Sequence, residues 1–480
     1  MADGKGLTVK KNENFSEWFT EIVQKAELAD LRFNVKGFLV FQPNSVLVME
    51  KMYDIMESVL RRKGHNPYWF PTVIPERNFK TEASHVAGFT PEVFWITHGG
   101  EKKLEEKLAL RPTSETAFYQ MFSLWIRSYK DLPFKAYQRA QVFRYETKAT
   151  RPFLRTREFH WIETHCAFAN EEGALNQAYE DMETTKEVLH DKYGLPFIFF
   201  ERPQWDTFPG ASKTFAADVL NPDGRVVQQP STHLIKHDFA KAFNIKYRDN
   251  DGIEKYAYTT CYGPAISRIF ASVVIVHGDD KGLRFPWEIA PYHVAIVPID
   301  NSEKLLEKAR ELKSKLSNFC DVIIDVSEKS PGEKFNLWEL KGIPIRIDLG
   351  AKEIENKKLS LFRRDLNKKE HILEKDLVRH IEIVREEFTK NLIKETGKIF
   401  NDRIVNSRNL EGIKKYIESG NIVRCNFCSI NDDGKKCADI IKEKTGADVR
   451  GTNLVSEKAE GNCVICDKPA NHVVYVARSY

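Results

Sequence analysis

The sequence is poor in several features, and each shortage excludes something. Eight cysteines in 480 residues are too few for a secreted disulfide scaffold. No run of ~18 apolar residues occurs, so no membrane-spanning helix is expected. There is no G-x-G-x-x-G opening a helix and no G-x-x-x-x-G-K-[ST], which removes Rossmann and P-loop nucleotide binding. Net charge is small: 73 basic against 69 acidic residues give +4. That balance excludes a histone-like polycation but leaves room for a local basic face that meets nucleic acid. Internal repeats and low-complexity tracts are absent. The opening residues Met1 to Gly6 carry no apolar signal core, so a cytoplasmic protein is the expectation.

What is present is enough for sizeable cores: 42% hydrophobic and 11% aromatic residues. At ~100–200 residues per domain the length suggests about three folded units. Apolar spacing predicts helices over 15–30, from a cap at Asn44 or Ser45 to about 61, over 114–126 and over 171–192. Strands are expected at 35–41, 67–74, 92–97, 107–111 and 197–200, with a hairpin from 140–146 and 157–168. The proline-flanked stretch 285–299 looks like a hinge. Beyond it strands and helices alternate as in a small α/β unit, then a charged helix is expected over 367–394. Cys425, Cys428, Cys437, Cys463 and Cys466 crowd the end of the chain, the pattern of a metal module in a reducing compartment.

The densest chemistry lies in "QVFRYETKATRPFLRTREFHWIETHCAF" (141–168). Period-two geometry puts Arg144 and Glu146 on one strand face, and Phe159, Trp161, Glu163 and His165 together on the returning arm. Alternating charge and aromatic residues suit neither a solvated face nor a core. They suit a planar anionic ligand such as ATP, with guanidinium forks on phosphates and an aromatic face on a base.

This segment resembles motif 2 of the class II aminoacyl-tRNA synthetases: Arg-x-Glu, a variable loop, and a Phe on the return strand. "WFPTVIP" (69–75), with Pro71, resembles motif 1, and "SRIFASVVIVHGDDKGLRFPWEIAP" (267–291), with Arg268, resembles motif 3. "LRPTSE" (110–115), "FLRTREFHWIETHCAF" and "HGDDKGL" together resemble the prolyl-tRNA synthetases. The span from Cys166 to Gly263 is too short for an inserted editing domain, so the likeness is to the archaeal and eukaryotic type. It implies an α+β catalytic domain on an antiparallel sheet (1–285), an α/β anticodon-binding domain (286–395) and a C-terminal zinc-containing α+β domain (396–480).

The resemblance also implies roles. Thr113, Glu115, Trp161, Glu163, His165, Phe208 and His233 would form the proline pocket. Arg144 would bridge the amino-acid carboxylate and the α-phosphate. Glu146, Arg155, Thr156, Phe159, Gln228, Ser231 and Arg268 would hold ATP and its Mg²⁺, Arg144 and Arg268 being the catalytic pair. The activity implied is ATP-dependent activation of L-proline and its transfer to tRNA(Pro) by a homodimer. "STHLIKHDF" (231–239) and "YGPAISR" (262–268) depart from the family pattern in pocket segments, so mis-activation of cysteine or alanine is expected.

"FNLWELKGIPIRIDLGAKEIE" (335–355) is similar to the family's anticodon-binding domain, with Glu339, Arg346 and Lys352 where anticodon guanines are read. Two C-x-x-C pairs at 425–428 and 463–466 are by themselves a zinc signal. The resemblance selects Cys428, Cys437, Cys463 and Cys466 as ligands, with Cys425 spare and the zinc structural. It also implies that Tyr480 folds back toward the catalytic domain. Two other readings compete: another class IIa specificity, and a synthetase-like tRNA-binding protein that has lost catalysis. Arg144, Glu146 and Arg268 are all present, against the second.

Overall fold

The computed structural model describes residues 6–83 and 92–480. An eleven-stranded sheet organises most of the chain. Its order is Ile404–Asn406, Ile422–Phe427, His472–Ser479, Asp448–Asn453, Ile198–Glu201, Lys213–Leu220, Arg225–Lys236, Tyr258–Tyr262, Glu158–Phe168, Phe134–Phe143 and Asn66–Pro67. Neighbours run antiparallel except at the two outer pairs, Ile404–Asn406 with Ile422–Phe427 and Asn66–Pro67 with Phe134–Phe143, which are parallel. The end of His472–Ser479 also pairs with the start of Arg225–Lys236, Arg225 opposite Arg478. Five strands thereby close a circuit that joins the C-terminal unit to the N-terminal strands of the sheet.

The hairpin Phe134–Phe143 and Glu158–Phe168 pairs in register from Phe134 opposite Ala167 to Phe143 opposite Glu158. Even positions of the return strand such as Ile162, fully buried, pack into the main core with helices Phe15–Lys25, Pro43–Arg62 and Ile266–His277. Odd positions are thereby turned to the opposite face, where the site lies.

Beyond the hinge, a five-stranded sheet has the order Val322–Ile324, Val294–Pro298, Ile345–Leu349, Lys358–Arg363, Lys368–Leu373. Its first three strands are parallel and the last two antiparallel. Buried Arg364 ties this unit to the N-terminal one, donating to Asp279 at 2.5 and 2.8 Å.

Several local expectations change. Residues 368–373 are a strand, and the long helix is Leu377–Asp402; alternation of half-buried Glu370 and Ile372 with exposed neighbours marks an edge strand with one face partly covered. The strand expected at 35–41 shrinks to Val40–Phe41. The helix expected to be capped at Asn44 or Ser45 instead opens with Pro43 at its first turn. The Ser45 hydroxyl is used within the core, donating to the carbonyls of Leu28 and Gln42.

Candidate active site

One wall of the site is built from strand Glu158–Phe168 and the N-terminus of helix Glu115–Trp125. Ser114 precedes that helix, and its N–H donates to Glu163 Oε2 at 2.9 Å while its hydroxyl donates to Oε1 at 3.1 Å. Gln138, opposite Glu163 in the hairpin, fixes this hydroxyl with a 2.6 Å bond from Nε2. Thr113 donates to Glu115 and, at 3.3 Å, to Glu163. His165 Nε2 stands 3.2 Å from Glu163 Oε2. Burial pushes the Glu163 carboxyl up, but His165 and the Ser114 donors outweigh it and hold it below the usual carboxylate range.

The opposite wall comes from strands Lys213–Leu220 and Arg225–Lys236. His233 Nδ1 lies 2.9 Å from the Thr214 hydroxyl and Nε2 lies 3.0 Å from that of Ser231. The ring sits 4.7 Å from that of Phe208. Burial, with Arg202 nearby, drives the imidazole down to about 3, so it is neutral. These walls enclose a cavity of about 350 Å³ lined by Thr113, Glu115, Trp161, Glu163, His165, Phe208, Gln228, Ser231 and His233. Cys261, Arg202 and Asp206 also line it.

A narrower crevice of about 10 Å³ adjoins it, lined by Glu146, Arg155, Thr156 and Phe159. Arg144 and Arg268 line both spaces. Arg144 Nε donates to the Pro112 carbonyl at 3.1 Å, and its guanidinium lies 5.4 and 5.5 Å from the rings of Phe159 and Trp161. Arg268 donates to the Leu154 carbonyl at 3.3 Å. Burial, together with Arg144 and Arg155, brings Arg268 down to about 10. A cluster of cations that depresses its own member is a site prepared for an anion.

The expected shared strand face for Arg144 and Glu146 is not formed, because the strand ends at Phe143. The chain turns there, with the Glu146 N–H donating to the Arg144 carbonyl at 2.7 Å. That turn lets Arg144 point between the two spaces while Glu146 lines only the crevice. Gln228 and Ser231, expected with ATP, line the larger cavity; Gln228 also lines a third, about 230 Å³ space with Arg155, Arg268 and Tyr480. Tyr480 does fold back: Arg155 donates to its carbonyl at 2.9 Å and Arg151 to its hydroxyl at 3.1 Å.

Arg202, Asp206 and Cys261 carried no sequence signal. Arg202 is recognisable only through Asp218 and Arg450, which lie 16 residues on and in the C-terminal unit.

In the anticodon-type unit, Arg346 is buried and donates to Glu339 at 2.6 Å and Asp348 at 2.7 Å, its guanidinium 4.1 Å from the Phe335 ring. Glu339 and Arg346 are therefore partners, while Lys352 is exposed at the start of helix Ala351–Asn356. In the C-terminal unit the sulfurs of Cys428, Cys437, Cys463 and Cys466 all lie within 4.8 Å of one another. Cys428 and Cys437 Sγ are 3.8 Å apart, the edge of a tetrahedron with zinc–sulfur bonds of about 2.3 Å. Cys425 is buried in the apolar core of the unit, outside that group.

Comparison with known proteins identifies this arrangement. Residues 94–277 match the family model of the tRNA synthetase class II core domain (G, H, P, S and T), and 293–383 match the anticodon binding domain. Residues 410–480 match the prolyl-tRNA synthetase C-terminal domain. The chain is 47% identical to a proline–tRNA ligase of Thermofilum pendens, covering 99% of each. The chain belongs to the prolyl-tRNA synthetase family. A second relative in this family, from Methanopyrus kandleri, is 41% identical over 97% of this chain and 96% of its own. Among solved structures, Giardia lamblia prolyl-tRNA synthetase in complex with prolyl-adenylate superposes with a TM-score of 0.94 at 35% identity. It covers 99% of this chain and 100% of its own. The Cryptosporidium parvum enzyme with L-proline and AMP gives 0.92 at 28% identity, covering 99% and 97%.

Proposed function

We propose that this chain activates L-proline with ATP and transfers the prolyl group to the 3′ end of tRNA(Pro). The observation that carries this reading is the pair of adjoining spaces that share Arg144 and Arg268. One has an acidic end, Glu115 and Glu163, and the other is cationic and aromatic. A secondary ammonium meets the two carboxylates, with Thr113 orienting Glu115. Trp161, His165, Phe208 and His233 enclose the ring. The proline carboxylate then points to Arg144, where a carboxylate oxygen attacks the α-phosphorus as the bond to the β-phosphate oxygen breaks. Pyrophosphate leaves and prolyl-adenylate remains. The attacking carboxylate is already ionised, so no general base is needed; positioning and charge supply the rate.

Glu146 accepts from the adenine amine, Phe159 stacks on the base, Thr156 holds its edge, and Arg155 and Arg268 take the phosphates. Gln228 and Ser231 face the junction of nucleotide and amino acid. Mg²⁺, carried with ATP, adds neutralisation of the phosphate charge. The terminal adenosine hydroxyl of the tRNA then attacks the prolyl carbonyl and AMP departs. Glu339, Arg346 and Lys352 form the anticodon-reading surface, for which Arg346 must exchange its carboxylate partners for a base edge.

The domain boundaries 1–285, 286–395 and 396–480 belong to the same proposal, with helix Leu377–Asp402 as the connection between the last two. Cys428, Cys437, Cys463 and Cys466 would hold a structural zinc, since four protein thiolates leave no open position. A homodimer in the cytoplasm completes the reading. The motif 1 segment supports the dimer: Trp69 is 92% exposed beside a stacked Tyr68–Trp125 pair, an apolar surface suited to a partner copy. No helix among the described residues is long and apolar enough to cross a membrane.

Amino-acid-dependent ATP–pyrophosphate exchange, run side by side with proline, cysteine, alanine and threonine, tests the reading. Exchange led by proline, with slower exchange for cysteine or alanine, is expected. Exchange with threonine alone would assign another class IIa specificity, and exchange with none would leave a tRNA-binding protein.

A further inference from the structure

The cavity wall opposite the motif 2 strand ends in a buried ionic cluster that the proposed reaction does not yet use. Asp218 is fully buried and sits between two arginines. Arg202 donates to it at 2.7 and 3.3 Å, and Arg450 donates at 2.7 and 3.1 Å. Arg202 and Arg450 are themselves 3% and 6% exposed. Arg202 Nε also lies 3.9 Å from Asp206, and Arg450 itself lines the space beside Arg155 and Arg268. Arg202 Nη2 donates to Gln228 Oε1 at 3.1 Å, and Nη1 donates to the Arg450 carbonyl at 2.8 Å. Gln228 is the member that faces both the 350 Å³ cavity and the cationic space beside Arg155 and Arg268.

We infer that Arg450, supplied by the C-terminal unit, is a positioning residue for the ATP side of the active site, acting through Asp218 and Arg202 on Gln228. This deepens the proposed function and rests on it.

Three features argue for more than packing. Two guanidiniums share the buried Asp218 carboxylate, with Asp206 3.9 Å from Arg202 Nε at the cavity wall, and such a buried ionic network is a costly arrangement that apolar residues of the same volume would avoid. Its Arg450 end lines the same space as Arg155 and Arg268, where a polyphosphate would lie. Second, the Gln228 carbonyl oxygen is committed to Arg202, which leaves its amide N–H groups to be presented to an acceptor such as a phosphate or carboxylate oxygen.

Third, the fold fixes where Arg450 stands. Strand Asp448–Asn453 pairs with Ile198–Glu201, Thr452 opposite Glu201. Gly451 has φ +129°, and a Cβ there would lie 2.1 Å from the Glu201 carbonyl oxygen. The neighbouring Arg450 therefore enters the catalytic unit over a contact that only glycine permits. Arg202 follows Glu201 in sequence, so the same strand pairing sets both arginines around Asp218.

The test is initial-rate ATP–pyrophosphate exchange on the full-length protein. Proline-dependent exchange by the unsubstituted chain is the control, and its absence would fail the proposed function rather than this inference. Given that control, Arg450→Met should raise KM for ATP about tenfold and leave KM for proline within about twofold. Arg450→Lys, which keeps the charge but replaces the two-bond fork on Asp218 with a single ammonium, should recover KM for ATP only in part, to about threefold above the parent. Gln228→Leu should raise KM for ATP as well, and combining it with Arg450→Met should cost no more than the larger single change. Should Arg450→Met not be recovered in soluble form, the cycle of Arg450→Lys with Gln228→Leu asks the same question. Parent-like ATP kinetics in Arg450→Met, an equal rise in both KM values, or multiplicative effects in the double variant would overturn the inference.

Discussion

Replacing Glu163 by glutamine keeps the side chain's shape and removes its charge. The carboxylate is 2% exposed and accepts from the Ser114 N–H at 2.9 Å and the Thr113 and Ser114 hydroxyls at 3.3 and 3.1 Å. With Glu115 it forms the acidic end of the cavity. A carboxamide retains an acceptor for the Ser114 N–H but offers an ammonium only a neutral partner. A hydrogen bond to a charged group contributes about 1.5–3 kcal/mol, and about 1.4 kcal/mol is tenfold in binding. KM for proline should therefore rise about ten- to hundredfold. Glu115 remains, so binding weakens rather than vanishes. Glu163 does not line the crevice formed by Glu146, Arg155, Thr156 and Phe159, so KM for ATP should stay within about twofold. Exchange rates measured with proline varied at saturating ATP, then with ATP varied at saturating proline, separate the two. An unchanged KM for proline, or equal rises in both, would refute the reasoning. The sign of the pH dependence follows from the same contacts. Because His165 and Ser114 hold the carboxyl below its usual value, Glu163 is ionised at neutral pH. Its stabilisation is complete above the ordinary value of about 4.3 and is lost only as pH falls through the lower folded one.

Asp181 behaves oppositely: burial raises it to about 7 although Thr232 and Gln177 donate to it at 2.7 and 2.8 Å. The folded state keeps a proton that the unfolded chain releases near about 3.9, so this group's contribution falls as pH rises from about 4 to 7. Asp181→Asn should be more stable than the parent near pH ~8, with the gap closing near pH ~5; urea unfolding at both would refute this if the two curves run parallel. Cys463→Ser should lower metal content measured by plasma mass spectrometry, whereas Cys425→Ser should retain it; zinc unchanged in the first would remove Cys463 from the group. Arg364→Met leaves Asp279 without its main partner, a loss toward the lower end of the about 3–5 kcal/mol for a broken buried pair. Denaturant unfolding showing under about 1 kcal/mol would mean the two units do not depend on that bond.

The parts of the site legible in the sequence were those written at short range. Phe159, Trp161, Glu163 and His165 alternate on one strand, so period-two geometry was enough to bring Trp161, Glu163 and His165 to the cavity and Phe159 to the crevice beside it. The same rule failed two residues beyond a strand end. Arg144 and Glu146 follow Phe143, and past a turn Arg144 lines both spaces while Glu146 lines only the crevice. The strand at 368–373 was lost for a related cause: its charges fit an exposed helix equally well, and only pairing with Lys358–Arg363 decides. Arg202 and Arg450 were illegible because the partner that defines each is a carboxylate reached by the fold rather than by the local chain. The ion pair of Glu339 with Arg346 was missed although both were singled out, since helix Pro331–Leu340 and strand Ile345–Leu349 meet only after packing.

Charge across the site is segregated apart from Glu146 in the crevice and the Arg202–Asp206 pair on the cavity wall, and this segregation orients a substrate. Glu115 and Glu163 occupy one end, Arg155 and Arg268 the other, and Arg144 stands at the boundary, lining both spaces. A zwitterionic amino acid that puts its ammonium at the acidic end must present its carboxylate to Arg144. The reverse orientation sets like charges together at both ends, in an interior where water screens poorly. The aromatic faces of Phe159 and Trp161, 5.4 and 5.5 Å from the Arg144 guanidinium, support that cation while supplying no competing anion. On the proposed reading, phosphates gathered by Arg155 and Arg268 would lie on the far side of the same guanidinium. Arg144 would then be the group that both reactants share and that brings the attacking oxygen to phosphorus, with orientation following from charge.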